Sequence, residues 1–207
     1  MELYTARPVN REERAAVTRT LIEQIRPSRD YYILVVGAVG LALGALFLNS
    51  LPTLIGAMVV APLAYPILGL GLGAAVKDGW IFFHALALLV VSLLAAILLA
   101  LIGTHLFGYL QVDPISITFI AYPILDLVVA LIAGAIAAYG LARPKVGGAM
   151  TGVGIAVSLM PPLVATGAYL ADGLYPSSLD AFLIFLMNVL GIFVASWIVF
   201  IILRIRI

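Results

Sequence analysis

Residues 54–76 read LIGAMVVAPLAYPILGLGLGAAV, an uncharged run long enough to cross a bilayer yet interrupted by Pro62 and Pro66. A transmembrane α-helix needs about 20 apolar residues in a row, and a barrel strand about ten alternating ones. This run has no period of two, and the other apolar stretches of the chain have none either. The composition agrees: 64% of the 207 residues are hydrophobic and 10% are charged, with a mean hydropathy of +1.21. A soluble domain carries roughly a quarter charged residues. Lipid removes the cost of so much apolar surface, and inside lipid every backbone N–H and C=O must be bonded internally. The expected fold class is an all-α membrane protein of six transmembrane helices.

The spans are expected at Tyr31–Leu48, Leu54–Val76, Trp80–Gly103, Pro123–Ala142, Gly148–Leu170 and Ala181–Leu203. Asn49-Ser50-Leu51-Pro52 and Lys77-Asp78-Gly79 make short turns, residues 104–122 a long connection, and Asp172 to Asp180 a final loop. Residues 30–207 then form the transmembrane domain, and residues 1–29 a basic segment ahead of it. Asn10 and Glu13 have the spacing of a capping box, so a helix starts near Arg11. Val17, Leu21 and Ile25 fall on one of its faces. Such an amphipathic helix suits the membrane surface, a partner subunit or a plain juxtamembrane linker.

Orientation follows from the Lys and Arg residues near the span ends. With the N-terminus inside, six spans place all 11 Lys and Arg on the cytoplasmic side, while Asp113, Asp172 and Asp180 lie outside. Both termini are then cytoplasmic.

Several function classes drop out. The net charge is +1 and no basic stripe is interleaved with aromatics, so nucleic acid is not a partner. The absence of Cys removes disulfides, thiolate metal sites and cysteine nucleophiles. His84 and His105 have no carboxylate or second His at ligand spacing, so neither a metal nor another cofactor is expected. No phosphate-binding glycine loop, nucleophile elbow or paired carboxylates occur, which argues against an enzyme.

Shifting the chain by 96 positions pairs Asp30 with Asp126, Gly44 with Gly140, Gly56 with Gly152, Pro66 with Pro162, Gly71 with Gly167 and Ser92 with Asn188. Helix breakers and polar residues recur in register without a gap, although overall identity is low and Gly/Pro-rich helices also coincide by chance. The matched blocks, about residues 30–103 and 123–203, hold three spans each. An odd number turns the second copy upside down, the inverted-repeat plan of many transporters.

Proline lacks an N–H, and its ring crowds the carbonyl four residues back. Pro62 and Pro66 are expected to free the carbonyls near Met58 and Pro62, and Pro161 and Pro162 those near Val157 and Ser158. Freed carbonyls at mid-depth must face protein or water. Two broken helices facing one another would make a small polar site of carbonyls and half-helix ends, with hydroxyls from Ser158 and Thr166 and a phenol from Tyr65. The alternative is a pair of kinked packing helices without a ligand. Asp126 suits a cation or a proton as an intramembrane carboxylate, or simply sits where a first-turn acid favours the helix dipole. Asn188, deep in the sixth span, bonds a neighbouring helix or a substrate. Gly37, Gly40 and Gly44, and Gly69, Gly71 and Gly73, allow close helix approach within or between subunits.

The run Ile55-Gly56-Ala57-Met58-Val59-Val60-Ala61-Pro62-Leu63, followed by Pro66-Ile67-Leu68-Gly69-Leu70-Gly71, resembles the signature of a prokaryotic hydrophobic-protein family catalogued as a domain of unknown function, number three-eight-nine. Pro123-Ile124-Leu125-Asp126-Leu127, Gly152 to Leu163 and Asn188-Val189-Leu190-Gly191-Ile192 resemble it as well. The resemblance implies a prokaryotic cytoplasmic-membrane location and supplies no substrate. The expected function is a transporter- or channel-like homo-oligomer in membrane lipid, moving a small solute or ion between broken helices 2 and 5. The alternative is a non-transporting assembly or sensor subunit that works through its N-terminal segment.

Overall fold

The computed structural model describes residues 11–108, 123–143 and 159–205. Among these residues all regular structure is helical, in eight helices: α1 Arg11–Gln24, α2 Arg29–Phe47, α3 Leu51–Val60, α4 Ala64–Val76, α5 Gly79–Phe107, α6 Pro123–Ala142, α7 Met160–Ala171 and α8 Tyr175–Ile202. Asn10, the connection 109–122 and residues 144–158, which hold the first part of the expected fifth span, lie outside the described residues.

Local chemistry sets the boundaries. Ser28 caps α2 by accepting the Tyr31 N–H at 3.1 Å. Ser50 caps α3, and Pro52 sits in that helix's first turn, where a missing donor costs nothing. Lys77 ends α4 in the left-handed region at φ 59°. Asp78 then starts α5, its carboxylate accepting the N–H groups of Trp80 at 2.8 Å and Ile81 at 3.2 Å. Two elements outrun their expected ends. α5 continues past Gly103 to Phe107, because Gly103 serves to admit Leu43 of α2 and does not stop the helix. α8 begins at Tyr175, with Pro176 in its first turn, so Asp180 is helical and the loop shrinks to residues 172–174.

α2, α5, α6 and α8 are each long and apolar enough to cross a membrane, and α3 with α4 make a fifth candidate bent by 47°. α7 has 12 residues, a length of about 18 Å that cannot span alone. α4 and α7 form the core. Apart from half-buried Tyr65, every residue from 64 to 73 is buried, and so is every residue from 160 to 169. A helix that is apolar all round belongs inside a bundle. α4 packs on α5 and α8; α7 packs on α5, α8 and α2; α2 also covers α3 and α5; and α6 lies along α8. The outward faces of the long helices show Ile33, Phe83, Leu94, Leu98, Ile136 and Leu190. Apolar faces of that extent on every long helix fit a lipid surround.

Residue contacts give the helix directions. Tyr31 and Leu43 of α2 meet Ser92 and Gly103 of α5 in that order, so the two run parallel. Near the end of α4, Gly71 meets Ser196 and Gly73 meets Phe82, whose ring lies 6.4 Å from that of Phe193. The end of α4, the start of α5 and the last turns of α8 therefore lie together, bringing Lys77 and Arg204 to one end of the bundle. Near the end of α7, Gly167 meets Ile97 and Ala100 of α5. Ile97 lies about 22 Å along α5 from Phe82 at 1.5 Å per residue. α4 and α7 thus point toward opposite ends of α5.

The apolar stripe of α1 is covered by the chain itself. Val17, Leu21 and Ile25 are buried, α1 packs on α4 and α6, and Ile25 seats against Gly69.

Candidate functional site

The prolines start helices. Ala61, held by the proline that follows it, leaves the helical region with ψ 122° and ends α3. Pro66 is the third residue of α4, and Pro161 and Pro162 are the second and third of α7. The first-turn N–H groups of a helix have no intrahelical partner, so a proline there removes an orphan donor and breaks no bond. Neither α4 nor α7 has a side-chain cap. Proline makes it cheaper for both to begin inside an apolar core.

One of the expected free carbonyls is bonded. The Pro62 carbonyl, expected to be freed by Pro66, accepts the Tyr65 N–H at 3.4 Å. The Pro162 carbonyl accepts the Thr166 hydroxyl at 2.7 Å. The carbonyls near Val157 and Ser158, and Ser158 itself, lie outside the described residues. The helical donor position for the Met58 carbonyl is the Pro62 nitrogen, which carries no hydrogen. Nor do α4 and α7 pack along each other; α7 reaches the first broken span through α3.

Thr166 ties the core together. Its hydroxyl bonds within α7, and its carbonyl accepts the Ser178 hydroxyl of α8 at 2.9 Å. Asn188 is 2% exposed and shares a face of α8 with Gly191 and Ile192, which meet Leu127, Ala130 and Gly134 of α6. Asp126, next to Leu127, is half-buried in the first turn of α6. The structure thus brings Asp126 and Asn188 to one helix pair, Pro161, Pro162 and Thr166 to α7, and Pro62 and Pro66 to the α3–α4 junction. α8 is the common neighbour of α4, α6 and α7. Among the described residues, the buried polar side chains are Thr18, Ser92, Thr104, Thr166, Ser178, Asn188 and Ser196, none of them charged.

His84 is exposed at the start of α5, with its ring stacked on Trp80 at 4.0 Å and Nδ1 2.8 Å from the Trp80 carbonyl. No group of three or more His, Asp or Glu that could hold a metal occurs among the described residues.

Two features escaped sequence reasoning. Tyr31 and Ser92 share a buried hydrogen bond of 2.9 Å, for which the pairing of polar residues near a span start and a span middle was the available signal. The close contacts of Gly71 with Ser196 and of Gly167 with Ala100 also went unforeseen. Their partners, like the glycines themselves, are 96 positions apart, so the shifted register already contained them.

The fold and its neutral, buried core define a multi-helix membrane protein built around two short internal helices. The chain belongs to the family described as a domain of unknown function, DUF389, whose model matches residues 58–194. Uncharacterized protein MJ0678 of Methanocaldococcus jannaschii is 25% identical over 173 residues, covering 84% of this chain and 54% of its own length. The chain therefore spans about half the length of that relative. No solved structure matches the chain significantly.

Proposed function

We propose that this chain is a transporter- or channel-like protein that moves a small neutral solute or a monovalent ion past its two internal helices. The observation that carries the reading is a reciprocal contact. Gly71 of α4 meets Ser196 of α8, and Gly167 of α7 meets Ala100 of α5; a shift of 96 converts one pair into the other. The same shift maps the starts of α4 and α5, residues 64 and 79, onto those of α7 and α8, residues 160 and 175. Reciprocity of this kind supports two inverted three-span repeats and, with them, six spans. The buried polar groups among the described residues are hydroxyls and one carboxamide, a set that suits a solute without strong charge or a partly dehydrated monovalent ion.

By the positive-inside rule the end carrying Lys77 and Arg204 faces the cytoplasm, which supports a cytoplasmic-membrane protein with both termini inside. A homo-oligomer is part of the proposal. A β-carbon on Gly37, Gly40 or Gly44 would meet nothing within 4 Å, and such a stripe favours helix–helix contact in lipid. The competing reading, a subunit that docks partners through its N-terminal stripe, is disfavoured because Val17, Leu21 and Ile25 are already covered.

The test is flux into liposomes reconstituted with the purified chain, using tracer panels of monovalent cations, monovalent anions and small neutral solutes. One class is expected to enter faster than in empty vesicles. Equal rates for all three classes would defeat the proposal.

A further inference from the structure

Two buried polar atoms on α1 differ from the hydroxyls of the core. Ser92, Thr104 and Thr166 each donate to the carbonyl one turn back, at 2.7 to 2.9 Å, and Ser196 donates to the Phe193 carbonyl at 2.9 Å. Thr18 is 8% exposed, and its hydroxyl has no partner among the described residues. One turn earlier, the Arg14 Nε is also buried without a partner among the described residues. Residues four apart share a helix face, and this one lies beside Val17 and Leu21 on the side of α1 packed against α4 and α6. The Glu23 carboxylate of the same helix is held by Arg19 at 2.9 Å.

A guanidinium N–H and a hydroxyl buried without partners are each costly to leave so. Both are donors, one carries a full positive charge, and their common complement is an anionic oxygen. α1 leads through Arg26 into α2, which runs parallel to α5 and so starts toward the Lys77 end. In a membrane that is the end where phosphate headgroups meet Arg26, Arg29, Lys77 and Arg204. Basic pockets between helices at such an end are suited to anionic headgroups.

We propose that Arg14 and Thr18 bind one phosphate group of an anionic phospholipid in the leaflet at the Lys77 end, which clamps α1 to α4 and α6. The proposal needs the chain to be a membrane protein and does not depend on transport.

The test places the full chain in nanodiscs of phosphatidylcholine, with or without phosphatidylglycerol, and reads the thermal unfolding midpoint. Phosphatidylglycerol is expected to raise it. Arg14→Gln abolishes the rise, Thr18→Val diminishes it, and Arg19→Gln on the exposed side keeps it. Native mass spectrometry of Thr18→Val, which removes no charge, should show fewer retained phosphatidylglycerol molecules; this readout decides the matter if Arg14→Gln does not fold. Inorganic phosphate added to phosphatidylcholine discs should give no rise; an equal rise would assign the seat to a free anion and overturn the lipid. No rise in the parent protein, or an undiminished rise and undiminished retention in the Arg14 and Thr18 variants, overturns the site.

Discussion

The Tyr31 phenol of α2 lies 2.9 Å from the Ser92 hydroxyl of α5, with both residues buried. Ser92 gives its own proton to the Leu88 carbonyl at 2.7 Å, so the phenol is the donor between the two. The bond sets α2 beside α5 at one height, as Leu43 seated on Gly103 does at another. Tyr31→Phe removes the donor and keeps the ring. It is expected to lower stability in detergent by about 0.6–1 kcal/mol. Ser92→Ala should cost a similar amount, and the double variant little more than either, because both remove the same bond. An additive loss in a denaturant titration would contradict the pairing.

The glycines give a prediction of opposite signs. A β-carbon on Gly167 would collide with the Ile97 backbone carbonyl, which cannot turn aside, and one on Gly71 with Ser196. Gly167→Ala is expected to destabilise by about 1–3 kcal/mol, the range for overpacking. Gly56→Ala in α3 meets open space and should stabilise its helix by up to about 1 kcal/mol, because glycine is the poorer helix former. Thermal midpoints of the two variants measured side by side check the sign.

These glycines also show how far the sequence could be read. Gly37-x-x-Gly40 and Gly69-x-Gly71-x-Gly73 look equally fit for close packing, yet one stripe faces outward and the other touches Ile25, Ser196 and Phe82. The difference lies in the neighbouring helix, which no local pattern records. Proline was ambiguous for a related reason. At the third position of α4 or α7 it fits the backbone without loss, whereas inside a continuous helix it would break a bond; the residues alone do not say where the helix begins. The apolar runs and the Lys77-Asp78 turn were legible because each rests on short-range chemistry. The buried ends of α4 and α7 were not, because they depend on α5 and α8 closing around them.

Topology admits a clean measurement, since the chain has no Cys. Lys77 ends α4 in an exposed turn, and Asp180 is exposed near the start of α8. In the six-span arrangement these positions lie on opposite faces. Lys77→Cys should react with an impermeant maleimide only after cells are opened, and Asp180→Cys in intact cells. Labelling of both from the same side would remove the inverted arrangement.

The two proposed halves part company at Asn188. Ser92, its counterpart in the 96-residue register, spends its hydroxyl on Leu88 and receives the Tyr31 phenol. Leu127 stands where that register repeats Tyr31, and it brings no polar group. Asn188 is also the one carboxamide among the fully buried polar residues described, with a donor and an acceptor on a single short side chain. If a solute passes along α8, it meets that carboxamide. Asn188→Leu keeps the volume and deletes the chemistry. It should reconstitute at normal yield and lower the initial flux rate by about tenfold or more, equivalent to about 1.4 kcal/mol of lost barrier stabilisation. Ser92→Ala, which lowers stability, should leave that rate unchanged. An Asn188→Leu protein that transports at the parent rate would reduce Asn188 to a packing residue between α8 and α6.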